Sequence, residues 1–278
     1  MKKMMTWALA LLAAFSVQAQ QVEPELADPK PGAQETWNAV KKTTLAWGST
    51  DVRYSRSQPA TGAKALVLDA WRGERVSAQA VLSTPVDLSR VTMEVSDLKC
   101  GKSIIPAASV RKYFVRYVMT DWHNNKADSF LLPDHLSPDA EMKVAAHTTR
   151  PMWLDIRVPQ DAKPGTYKGM LSVTFDGQTL SLPLSLQVCS RVLPAPSEWS
   201  FHLDLWQNPY AVARYFNVPL WSQEHFDRMR PIMKLLADAG EKVITCSIIQ
   251  HPWNSQTYDP FESMIAKMKQ IDGSWKYD

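Results

Sequence analysis

From about Thr43 to Val188 apolar and polar residues alternate with a period of two. Leu180, Leu182, Leu184, Leu186 and Val188 fall on one face, with Ser181, Pro183, Ser185 and Gln187 on the other. The same pattern runs through Met152–Val158, Val76–Leu82, Val91–Val95 and Leu171–Phe175. Such alternation sets one face of a strand on a core and the other in water. Turn signals punctuate it at Asp161–Gly165 and at Asp176-Gly177, the latter between two strands and so a tight hairpin. Many short antiparallel strands without intervening helices predict a β-sandwich over residues 36–192. Pro183 cannot donate to a ladder, which predicts an edge position for its strand. One segment, Thr120–Arg150, has no sustained period and carries three of the six histidines. It reads as a functional or disordered connection, a candidate to lend Trp122 or His123 to a neighbouring domain.

The pattern changes at a proline-rich linker, residues 193–197. Residues 201–206 (Phe-His-Leu-Asp-Leu-Trp) predict a short strand. A helix is predicted from an N-cap at Ser222, with Glu224 in its first turn, to a stop before Gly240; Pro231 inside it is expected to kink it. Lys242–Ile249 is a near-continuous apolar run of the kind buried on both faces of a parallel sheet. A second helix opens at Asp259-Pro260, with Glu262 three residues after the cap. Strand, helix, strand, helix is βα organisation. The fold expected is therefore multi-domain: an N-terminal antiparallel β-sandwich followed by the first βα units of an incomplete (β/α)8 barrel, over 198–278. Such a barrel needs about 200–250 residues, so the chain is expected to be the front part of a longer protein, with a small α/β appendage packed on the sandwich as the alternative.

Residues 1–19 read as a cleaved export signal: Lys2 and Lys3, an apolar stretch from Met4 to Val17, and a Val-Gln-Ala cleavage site ending at Ala19. That stretch is shorter than the ~20 residues of a membrane span, so the mature chain is expected to be exported, with no membrane insertion. Residues 20–35, polar and rich in proline, read as a flexible lead-in. With 45% hydrophobic and 21% charged residues the chain is not disordered. A formal charge of +3 without a basic run gives no nucleic-acid signature. Three cysteines cannot all pair; Cys189 and Cys246 lie in apolar stretches and predict buried, inert thiols. Their spacing fits no zinc pattern, and neither metal nor cofactor is expected.

No catalytic constellation is visible. None of the 28 acidic residues is adjacent to another, and there is no phosphate-binding glycine loop, nucleophile elbow or His-Glu-x-x-His. Position supplies the remaining argument, since barrel active sites lie at the C-terminal ends of strands. Asp204 and Trp206 would lie at one strand end, His251 and Trp253 at the next. Aromatic faces and hydrogen-bonding groups suit a sugar ring, so these four residues are the candidate substrate-binding set. Each tryptophan also fits core or interdomain packing, and His251 fits a structural histidine equally well.

Trp71-Arg-Gly-Glu-Arg75 with Gln79, Pro151–Asp155 with Val158-Pro-x-Asp-Ala-x-Pro-Gly, and Phe201–Tyr210 with Trp221-Ser222 together resemble bacterial proteins related to glycoside hydrolase family 123. Leu236–Thr245 and the Asp272–Trp275 turn are similar to that group as well. The resemblance implies a sandwich joined to a catalytic barrel and an exo-acting β-N-acetylgalactosaminidase activity on a glycan or oligosaccharide. It implies a substrate-assisted mechanism in which the 2-acetamido oxygen attacks the anomeric carbon, an aspartate holds the acetamide, and the adjacent glutamate is general acid and then base. That Asp-Glu pair has no counterpart here, so no catalytic residue is assigned. The alternative reading is a non-catalytic carbohydrate-binding or cell-surface interaction module.

Overall fold

The computed structural model describes residues 24–32, 34–121, 128–249, 267–269 and 272–277. Alternation becomes strand almost wherever it runs. In chain order the strands are β1 (Thr44–Gly48), β2 (Leu66–Arg72), β3 (Arg75–Thr84), β4 (Leu88–Val95), β5 (Leu98–Cys100), β6 (Ser103–Ile105), β7 (Val110–Thr120), β8 (Phe130–Ser137), β9 (Glu141–Val144), β10 (Thr148–Arg157), β11 (Gly165–Phe175) and β12 (Gln178–Val192). Two helices follow, α1 (Pro209–Phe216) and α2 (Gln223–Asp238), then a short hairpin of β13 (Lys267–Lys269) and β14 (Trp275–Tyr277). One sheet has the order β1-β3-β10-β7-β8, and the other β2-β12-β11-β4-β9 with β5 and β6 attached.

The chain divides into two compact units. The first comprises residues 1–69, 75–157 and 165–187; the second comprises 70–74, 158–164 and 188–278. Within the first unit the apolar phase of each strand is buried: Met152, Leu154 and Ile156 from β10, Leu171 and Val173 from β11, and Leu184 and Leu186 from β12 have at most 1% of their surface exposed. The two sheets are pinned to each other by Trp47, whose indole N–H donates to the Pro183 carbonyl (2.9 Å), and by Lys112, which donates to the Met93 carbonyl (2.9 Å). Asp176 and Gly177 have φ of +43° and +78° and close the predicted hairpin between β11 and β12. Positive φ at both central residues matches the strand twist and is cheapest at glycine.

Several expectations fail for identifiable reasons. β3 is buried on both faces toward its end, because Gln79 on the polar face donates to the carbonyls of Ser49 (2.6 Å) and Val52 (3.1 Å), drawing an irregular segment over it. β12, with Pro183, is not a sheet edge but lies between β2 and β11. Seven-residue β2 can pair with less than half of fifteen-residue β12, so β12 has positions on that side without a ladder partner. The segment 120–150 is not one loop: its described part forms β8, β9 and the start of β10. Periodicity failed there because the β7–β8 register jumps from Arg116 opposite His135 to Tyr117 opposite Pro133, leaving Asp134 as an extra residue. Trp122 and His123 lie outside the described residues. Cys189 and Cys246 are exposed free thiols rather than buried ones.

The larger correction concerns the barrel. Among the described residues there are no (β/α) barrel units: residues 201–206 and 242–249 form no strand and pair into no sheet. Ile244, Ile248 and Ile249 are 59–67% exposed instead of buried on two faces. An apolar run signals a demand for burial, but a parallel strand also needs lateral partners and covering helices, and the described residues supply neither to these segments. The predicted helix at Asp259 lies outside the described residues.

The predicted helix at Ser222 is present as α2, its N-cap hydroxyl accepting the His225 N–H (3.2 Å). Gly240, at φ +102°, ends it, and a Cβ there would lie 2.5 Å from the Trp199 ring. In the same unit the Trp71–Glu74 motif forms a turn. The Glu74 carboxylate accepts the Trp71 N–H (2.6 Å), and the backbone of Arg72, Gly73 and Glu74 bonds to Val158 and Leu193.

Candidate functional site

Local chemistry in the second unit fixes the segment holding the predicted site residues. Asn208 caps α1, its side-chain oxygen accepting from the N–H groups of Tyr210 (3.1 Å) and Ala211 (3.3 Å), and Pro209 takes the first helical position. The helices are joined through His225, which is fully buried. Its Nδ1 accepts the Trp221 N–H (3.0 Å), so Nε2 carries the proton and donates to the Pro209 carbonyl (2.9 Å). Trp221 has φ +60° and packs edge-on against Tyr210 at 5.7 Å.

After Gly240 the chain returns beside residues 204–207. The Glu241 Oε1 accepts the Leu205 N–H (3.0 Å) and the Gln207 amide (2.8 Å), and the Thr245 hydroxyl donates to Asp204 Oδ1 (2.8 Å). Asp204 Oδ2 accepts the Trp206 indole N–H (3.2 Å), while the Trp206 ring remains 63% exposed. Asp204 and Trp206 are thus brought together as a unit: an exposed aromatic face whose polar edge is tied to an exposed carboxylate. His251 and Trp253 lie outside the described residues. Sequence reasoning missed Glu241, Gln207 and Thr245. The available signals were the carboxylate directly after the helix-ending Gly240, and the hydroxyl interrupting an apolar run.

The arrangement sets a stacking face beside hydrogen-bond acceptors. An indole face stacks on the C–H face of a sugar, and a carboxylate with an open lone pair on each oxygen accepts hydroxyls. Glu241 Oε2 is buried without a hydrogen-bond partner. Among the described residues no group of three or more His, Cys, Asp or Glu is arranged to hold a metal ion. No described helix is long and apolar enough to cross a membrane.

Two family models match the chain: the glycoside hydrolase 123 N-terminal domain over residues 47–175, and the glycoside hydrolase 123 catalytic domain over residues 206–278. This is a glycoside hydrolase 123-like protein. A solved family 123 glycoside hydrolase from Clostridium perfringens, described in connection with glycolipid glycan hydrolysis, matches 85% of this chain with a TM-score of 0.78 and 25% identity. The glycoside hydrolase 123-like chain spans 43% of that protein's length. The PapD-like domain 7 of human CEP192 (13% identity, TM-score 0.26, 62% of this chain and 98% of that one) is too distant to inform the site. So is the CooA pilin subunit from enterotoxigenic Escherichia coli (11%, 0.30, 54% and 99%). A comparison with curated proteins found no match.

Proposed function

We propose that this chain is the N-terminal part of an exported, exo-acting glycoside hydrolase that removes terminal β-linked N-acetylgalactosamine from glycans by the substrate-assisted, retaining route. The chain contributes sugar contacts, and the acid–base step belongs to an adjacent Asp-Glu pair that is absent from these 278 residues. The observation that carries this reading is the double family match, together with the exposed Trp206 face locked to the Asp204 carboxylate. The exposed side chains of Phe201, Leu205, Ile244, Ile248 and Ile249 add support, since a longer protein would cover them. The glycolipid connection of the Clostridium protein makes a glycolipid-borne glycan a reasonable natural substrate.

The test is an assay of the protein encoded by the uninterrupted reading frame, with aryl β-N-acetylgalactosaminide and β-N-acetylglucosaminide as substrates. The reading expects faster release from the first, and inhibition by a thiazoline that mimics the oxazolinium intermediate. Glycan binding by this chain, with no hydrolysis by the protein from its complete frame, would replace it with the non-catalytic binding-module reading, which the missing Asp-Glu pair favours.

A further inference from the structure

We infer that one end of the first unit is a built carboxylate-recognition site, and that residues 24–32 are an arm that fills it in cis through Glu25. The site begins where a sheet ladder stops. β7 and β10 pair from Val110 opposite Ile156 to Phe114 opposite Met152. Two groups just past that end, the Val115 carbonyl and the Tyr117 N–H, find side chains instead. Arg150 Nη1 donates to the Val115 carbonyl (2.8 Å), and the Tyr117 N–H donates to Glu25 Oε1 (2.8 Å). Arg150 grips both oxygens of Glu25, Nη1 to Oε1 at 2.5 Å and Nη2 to Oε2 at 2.8 Å, which is the two-pronged geometry that matches a carboxylate.

Contacts other than those to Glu25 also hold the walls of the site. The Arg150 side chain is 4% exposed and its guanidinium lies 5.0 Å from the centre of the Tyr117 ring. The Tyr117 hydroxyl is tied to the carbonyls of Thr149 (2.8 Å) and Tyr54 (3.0 Å). A second cation, Arg56, lies 3.8 Å from Glu25 Oε2 and donates to the Leu26 carbonyl (3.1 Å), so the site reads backbone as well as charge. Two guanidiniums and one strand N–H converge on a single carboxylate. Among the described residues the Arg150 side chain makes no hydrogen bond other than those to Val115 and Glu25, and its Nε is buried without a partner. An empty site would therefore hold a buried cation with no counter-charge, a strongly unfavourable state. The ligand class is a carboxylate on an extended backbone, and the chain's own arm is its occupant.

The experiment uses the full chain carrying Glu25→Ala, melted at neutral pH with sodium acetate as the probe and sodium chloride of equal ionic strength as the control. The variant is expected to melt about 6–20 °C below the parent, the shift that loss of one partner of a buried pair gives in a unit of this size. Acetate should restore part of that loss saturably, and chloride should not. A parent-like midpoint without acetate, or equal recovery with chloride, overturns the inference. If Glu25→Ala does not fold, Glu25→Ala with Arg150→Met decides. Removing the stranded cation should restore a cooperative melt that ignores acetate, and a double variant as unfolded as the single one overturns the site.

Discussion

Replacing His225 by alanine should unfasten the two helices from each other while leaving the first unit intact. His225 is 0% exposed and provides two hydrogen bonds that no neighbour can replace: one to the Trp221 N–H, one to the Pro209 carbonyl. Two such bonds contribute about 2 kcal/mol net. The void left by an imidazole adds about 1–2 kcal/mol more. Trp221 also holds a left-handed backbone at φ +60°, strained for a bulky residue and kept in place partly by that bond. A total near 3 kcal/mol corresponds to about a hundredfold loss of amide exchange protection, since each 1.4 kcal/mol is a factor of ten. Hydrogen exchange read by mass spectrometry over residues 209–240 checks it, with β3 and β10 as internal controls. A change below about tenfold in the helices, or an equal change in β10, would refute the assignment of His225 as the fastener.

Other consequences are simpler to read. Burial alone would raise the Glu25 pKa, but the Arg150 hydrogen bonds and charge, the Tyr117 N–H and Arg56 outweigh it and hold it below its ordinary 4.5. A lowered folded-state value means stability that is fully present above the ordinary value and lost as pH falls from there through the lowered folded value, so the stability gap between parent and Glu25→Gln should close in acid. Denaturant midpoints at neutral pH and near pH 3 check the sign; a gap that widens in acid contradicts it. Gly177→Ala places a Cβ in open space at φ +78°, so its cost is backbone strain alone, about 1–2 kcal/mol in a chemical melt. Leu154→Ala in the fully buried β10 face should cost about 2–5 kcal/mol by the same measurement.

Where sequence and structure agree, a local rule was sufficient. Period-two runs became β3, β4, β10, β11 and β12, Asp176-Gly177 became a hairpin, and Ser222 and Gly240 bounded a helix, each within a few residues of chain. What was not legible depends on partners far away in sequence. Arg150 and Glu25 are 125 residues apart, and nothing near either position announces their pairing. Gln79 occupies the polar phase of β3 yet is buried, because the carbonyls that satisfy it come from an irregular segment about 30 residues earlier. One unmatched residue in β8 was enough to hide a strand. The segments 201–206 and 242–249 predict strands and form none, since neither the short pattern of the first nor the apolar run of the second carries information about lateral partners. Of the candidate site, Asp204 and Trp206 came from a strand-end argument whose strand the structure lacks; the indole–carboxylate hydrogen bond is what brings them together, and Glu241 and Thr245 needed the return of the chain after Gly240.

The most direct measurement is kcat/KM for an aryl β-N-acetylgalactosaminide, with the protein from the uninterrupted reading frame and its Trp206→Ala and Asp204→Ala variants. Loss of a stacking face or a hydroxyl acceptor should lower it by about tenfold each, while the melting temperature of the first unit stays constant. Unchanged kcat/KM in both variants would remove this site from the reaction and contradict the proposed function at its foundation.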